Sequence, residues 1–168
     1  MLHDGDVVIV DRLRGFRGYV GLKLDLGLGS RLPAYCTSMG KLLLAYLSTE
    51  EQKATLKGRQ LVRNTRSTIT SKDSLLRELE QIREVGFAIN NEELVAGVHS
   101  IAMPVQVEDV VIGVIDIAAP MSMVTRDELV NNFGSRLSKT IELIAANLTS
   151  SGCARDGRDN IVRDLYEF

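Results

Sequence analysis

The sequence predicts an α/β (α+β) domain in which helices flank a mostly antiparallel sheet. Three observations carry that reading. Apolar residues alternate along the first segment, two long apolar segments meet at the short acidic turn Glu108-Asp109, and separate stretches repeat apolar residues at helical spacing.

Taken in order, VVIVDRL, GFRG and YVGLKLDLG between Asp6 and Gly27 read as a hairpin, with alternation at Val20, Leu22, Leu24 and Leu26. Gly27, Gly29 and Ser30 then break the strand, at a spacing that matches no phosphate-binding glycine loop. Residues 31–47, RLPAYCTSMGKLLLAYL, set a small polar cluster before an apolar helix running from about Ser38 to Leu47. Thr37 or Ser38 is its cap. Thr49 to Gln52 has the spacing of a capping box and opens a short helix ending near Gly58. Lys57 to Lys72 reads as a solvated loop: it carries Lys57, Arg59, Arg63, Arg66 and Lys72 but no interleaved aromatic. Leu75, Leu76, Leu79 and Ile82 mark the next helix, with Asp73 and Arg77 as an i,i+4 pair and Gly86 as the stop.

A short strand from Phe87 to Asn90 and the acidic turn Asn91-Glu92-Glu93 follow. Ser100 to Val107 and Val110 to Ala118 are the next two strands. The second is so uniformly apolar that both its faces are expected to be covered, and Pro104 calls for an edge or bulge in the first. Thr125 to Glu128 is another capping box, opening one long amphipathic helix through Leu129, Phe133, Leu137, Ile141, Ile144 and Leu148. From about Thr149 the chain reads as a polar, flexible tail.

Composition narrows the function. With 168 residues, 45% apolar content and a formal charge of −2, the chain fits one domain with a sizeable core and no nucleic-acid footprint spread over its surface. Cys36 and Cys153 have no companions at metal-ligand spacing, so no metal site is expected and a reduced, cytoplasmic setting is. No run approaches a membrane span, and MLHDGDVVIV lacks the features of a signal peptide. No cofactor fingerprint occurs.

Two catalytic motifs are set aside. Ser38-Met39-Gly40-Lys41 matches S-x-x-K, yet the S-D-N and K-T-G partners of penicillin-binding enzymes are missing. Cys36 with His99 could form a thiolate pair, but a buried, inert cysteine is the better reading. No residue is therefore assigned a catalytic role. What remains is the start of the helix near Ser38, where unsatisfied N–H groups and the positive dipole end attract a carboxylate or phosphate. Asp116, inside VVIGVIDIAAP, is the second pointer, because a carboxylate costs several kcal/mol to bury unless something compensates it. It is expected to accept a hydrogen bond from a ligand hydroxyl while the helix start holds a carboxylate, or else to pair with Arg, Lys or His99.

LPAYCTSMGKLLLA, RNTRSTIT, IREVGFAINNEELVAGVHSIAMPV and VIGVIDIAAP, in that order over roughly 150 residues, resemble the effector-binding domain of the IclR family of bacterial transcriptional regulators. The resemblance implies a GAF-like α/β fold, a six-stranded antiparallel sheet with helices on both sides and a cupped face for a small organic acid. It implies that Ser38, Met39 and Gly40 hold the ligand carboxylate. Asn90 falls where aspartate is common, Ser100 where cysteine or serine lines the pocket, and Asp116 and Ala118 at inward positions that are often serine. Leu24 and Leu32 would be apolar walls. His99 stands where arginine is frequent and joins the candidate set. LPAYCTSMGK is closest to members that sense protocatechuate or 4-hydroxybenzoate.

The resemblance also implies partners: a small organic acid, a homodimer or homotetramer, and DNA only through an N-terminal winged helix-turn-helix that this chain lacks. Residues 1–148 would be the effector domain and 149–168 the tail. The alternatives are a stand-alone GAF-like signalling module and an enzyme using Cys36 or Ser38 as nucleophile.

Overall fold

A computed structural model describes residues 1–13 and 26–150. Most of the expected first hairpin, Leu24 included, and the tail from residue 151 lie outside the described residues. Strands β1 (Leu2–His3), β2 (Asp6–Val8) and β3 (Arg31–Pro33) form one antiparallel sheet. A 3-10 turn, Ala34–Cys36, leads into α1 (Ser38–Ala45), then α2 (Thr49–Leu56) and α3 (Lys72–Val85). Strands β4 (Ala88–Asn91), β5 (Val98–Val107) and β6 (Val110–Pro120) form a second antiparallel sheet in that order. The chain closes with one helical run: α4 (Arg126–Glu128), a π-helical stretch Leu129–Gly134, and α5 (Ser135–Ser150).

The class agrees with the sequence reading, but the described strands form two sheets of three rather than a single six-stranded sheet. The second sheet separates two apolar layers. On one face α1 and α3 bury Leu42, Leu44, Leu75, Leu79, Ala88 and Ala102 in one cluster. On the other, α5 brings Leu137 and Ile141 against Val105, with Met103, Ile115 and Ile117 packed around them. Each fully buried leucine contributes about 1.5–3 kcal/mol, so these layers hold the sheet between them.

Local chemistry accounts for the ends of the elements. Gly86, at φ +79°, takes the left-handed cap that stops α3. Pro104 is accommodated because β4 pairs with β5 only from His99 to Ala102, and a bulge follows between Val105 and Gln106. Thr125 and Glu128 form the expected capping box.

Three expectations are corrected. The box that opens α2 lies one residue earlier, between Ser48 and Glu51, because Ser48 has the extended backbone a cap requires. Arg77 donates to Ser74 Oγ at 3.1 Å instead of pairing with Asp73. β6 is half-exposed along much of its length, since it is the outer strand of its sheet among the described residues. Val110 and Ile112 remain 46% and 42% exposed.

Candidate functional site

Strand alternation decides which side chains can meet. In the register Asn90, Ser100 and Ala118 lie abreast, as do Ala88, Ala102 and Asp116, so these residues share the face covered by α1. Odd-numbered His99 and Ile101 point to the α5 side.

Helix α1 starts against this face. Thr37, in extended backbone, caps it by accepting the N–H of Gly40 at 3.1 Å. The cap uses that donor, so the N–H groups left at the helix start are those of Ser38 and Met39. Gly40 is needed for another reason: a Cβ there would stand 2.2 Å from Ala34 Cα. Its absence lets the helix close onto the preceding turn. The N–H of Gly40, a candidate ligand donor from sequence, is engaged by the cap.

The hydroxyl of Ser38 donates to the Asp116 carboxylate and also meets the hydroxyl of Ser100. Ser38 and Ser100 are buried and Asp116 is half-buried as a whole residue. Burial of the carboxyl outweighs the two serine hydrogen bonds and pushes its pKa up to about 6. Its partners are thus hydroxyls, not the Arg, Lys or His99 considered from sequence.

The remaining candidates separate. Asn90 Oδ1 accepts the N–H of Glu93 at 2.8 Å, which makes its carbonyl a turn-shaping group. Ala118 is on the same face and exposed. Leu32 is half-buried in the other sheet, opposite Val7. His99 is fully buried on the far face, where burial pushes its pKa down.

Behind the helix start lies an ion cluster that sequence reasoning missed. Lys41, with no exposed surface, reaches Glu93 Oε1 at 2.6 Å and Glu78 Oε1 at 3.0 Å. Thr65 and Thr68 fasten the turn that carries Glu93, donating to the carbonyls of Glu92 and Glu93 at 2.6 and 2.7 Å. A lysine one turn into an apolar helix is the signal the sequence offers for it. Its commitment to two carboxylates leaves it no role as a base for Ser38. Cys36 is buried as expected, and burial pushes its thiol pKa up to about 11.

Neither of two clefts is lined by Ser38, Ser100 or Asp116. One of about 390 Å³ runs along α5 and is lined by Phe87, Ile101, Met103 and Lys139 among others. The other, about 530 Å³, lies between residues 64–67 and the turn at 92–96. No group of side chains suited to a metal ion occurs among the described residues, and none of their helices is long and apolar enough to cross a membrane.

A sheet face capped by a helix start, with hydroxyls and a carboxylate buried between them, is the architecture of a ligand-binding α+β domain. Residues 1–146 match the family described as bacterial transcriptional regulator IclR C-terminal, and the chain belongs to that family, one of regulators rather than enzymes. The chain is 33% identical over 131 residues to the probable transcriptional regulator SauR of Cupriavidus necator, covering 77% of this chain and 51% of that one. It is 34% identical over 113 residues to the Pca regulon regulatory protein of Pseudomonas putida, covering 67% and 39%. The chain therefore spans about half or less of the length of these curated relatives. Among solved structures, a transcriptional regulator from Rhodococcus sp. superposes with a TM-score of 0.81 at 30% identity, over 89% of this chain and 60% of that one. The inducer-binding domain of a double mutant of PobR from Acinetobacter, in complex with 3-hydroxybenzoic acid, superposes with a TM-score of 0.75 at 28% identity, over 86% and 83%.

Proposed function

We propose that this domain senses a small organic acid, of the hydroxybenzoate type, and that the acid's carboxylate sits on the N–H groups of Ser38 and Met39 at the start of α1. One observation carries the reading: the cap leaves those two donors beside a buried polar group made of Ser38, Ser100 and Asp116. Asn90, Ala118 and Leu32 line the approach. A helix start attracts anions through its donors and its dipole together. The PobR inducer domain with its bound hydroxybenzoic acid supports the ligand class. His99 acts from the far side of the sheet, as a buried packing residue.

In the full regulator, residues 1–150, through the end of α5, serve as the effector domain. An N-terminal winged helix-turn-helix reads DNA, and the protein works in the cytoplasm as a homodimer or homotetramer. The acid binds one arrangement of the domains better than another. The resulting shift is bounded by that difference in affinity, about 1–3 kcal/mol for typical coupling.

A thermal-shift screen of hydroxybenzoates and aliphatic mono- and dicarboxylates tests the reading. An acid at about 100 times its dissociation constant adds roughly 2.7 kcal/mol of stability, and Ser38→Ala should weaken that shift. Absence of any stabilising acid across the panel would rule out an acid effector.

A further inference from the structure

We propose that Asp116 restricts this site to acids carrying a hydroxyl next to the carboxylate, on the carbon that bears it or on the following one. The inference rests on the acid-sensing reading above and narrows its ligand class.

The argument is one of hydrogen-bond supply. Ser38 and Ser100 each have a single hydroxyl proton. Ser38 donates its proton to Asp116, and the proton of Ser100 goes either to Ser38 or to Asp116 itself. Both protons are in use when Asp116 is ionised, so the cluster offers an incoming ligand acceptors only. Among the described residues no cation offsets this: Lys41, the basic residue of α1, is held by Glu78 and Glu93, and none pairs with Asp116. Among the described residues, the donors that remain at the helix start for a ligand carboxylate are the backbone N–H groups of Ser38 and Met39.

These two halves of the site are neighbours. Ser38 supplies one of the N–H groups through its backbone, and through its side chain it touches Asp116. A carboxylate seated on the helix start therefore lies beside a second carboxylate, which repels it unless a proton stands between them. An adjacent hydroxyl supplies that proton by donating to Asp116. A hydroxyl at the para position of a benzoate is a ring's length away and cannot reach while the carboxylate holds the helix start.

Calorimetric titration of the chain at pH 7.5 with matched acids decides the matter: phenylacetate against mandelate, benzoate against 2-hydroxybenzoate, and 4-hydroxybenzoate as the distant-hydroxyl control. The wild-type chain should bind the adjacent-hydroxyl member of at least one pair tenfold or more tighter than its partner and than 4-hydroxybenzoate. Asp116→Asn, which keeps the shape and adds an N–H donor, should reduce that ratio to about one; Asp116→Ser provides the same comparison if the first variant does not fold. Acids that bind without the preference, or a preference that survives in the variants, would overturn the role of Asp116 while leaving an acid effector intact. Binding of none of the five acids to any of the proteins would overturn this proposal, and the wider thermal-shift panel then decides separately whether an acid effector stands.

Discussion

Ser38 and Asp116 stand 78 positions apart in the chain, and one hydrogen bond joins the hydroxyl of the first to the carboxylate of the second. That bond ties the start of α1 to the middle of β6. Three conditions allow it: Thr37 caps the helix, Gly40 brings it down onto Ala34, and β6 turns its even-numbered residues toward α1.

Asp116 makes stability depend on pH. Its carboxyl has a folded-state pKa raised from the ordinary 3.8 to about 6, so the folded chain holds a proton that the unfolded chain has already lost. Stability from this group therefore falls as pH rises from about 4 to about 6, and the loss persists above that range. Replacing Asp116 by Asn should stabilise the protein by on the order of 1–3 kcal/mol at pH 8 and leave it unchanged near pH 4. Urea unfolding at the two pH values gives the comparison. A variant less stable than wild type at pH 8 would contradict it.

Lys41 has no exposed surface and compensates Glu93, whose second oxygen is buried without a partner. Lys41→Ala should cost about 3–5 kcal/mol, because an unpaired carboxylate is left inside. Lys41→Met combined with Glu93→Leu should recover most of that loss, since Glu78 is partly exposed and can turn to water. Denaturant midpoints of the two variants separate a costly broken pair from a costly pair.

Gly40→Ala places a methyl group where Ala34 backbone already stands, 2.2 Å from its Cα. The helix must move outward, at a cost of about 1–3 kcal/mol or more. The same substitution at Gly58 meets open space but a φ of +72°, and should show only the smaller backbone penalty. Thermal melts of both variants measure the difference.

Cys36 should resist alkylation in the native state. Its thiol is buried, accepts a hydrogen bond from Asn64 at 3.4 Å and has a pKa of about 11. Peptide mapping after iodoacetamide at pH 8 should find Cys36 modified only once urea unfolds the chain. Native labelling at that position would return the nucleophile reading to consideration.

Helices announced themselves by local chemistry, which is why α3, its glycine stop and the capping box at Thr125 were legible. The Ser48 cap was displaced by one residue because Thr49 offers the same hydroxyl, and only backbone dihedrals choose between them. Asp116 could be singled out as a carboxylate in an apolar strand. Its partners could not, since they depend on a register that sets Ser100 beside Ala118 and on a helix arriving from far earlier in the chain. His99 and Ser100 are adjacent in sequence and on opposite faces of the sheet, a separation that follows from strand period once the strand's inward face is known. Lys41 and Glu93 were hidden for the same reason: a salt bridge between distant residues leaves no local pattern.

A crystal structure of the chain grown with an acid that binds in the calorimetric panel tests the central claim most directly. The account predicts the carboxylate within hydrogen-bond distance of the Ser38 and Met39 N–H groups, with the adjacent hydroxyl on Asp116. An acid found instead in the cleft along α5, beside Phe87, Met103 and Lys139, with the start of α1 empty, would contradict it.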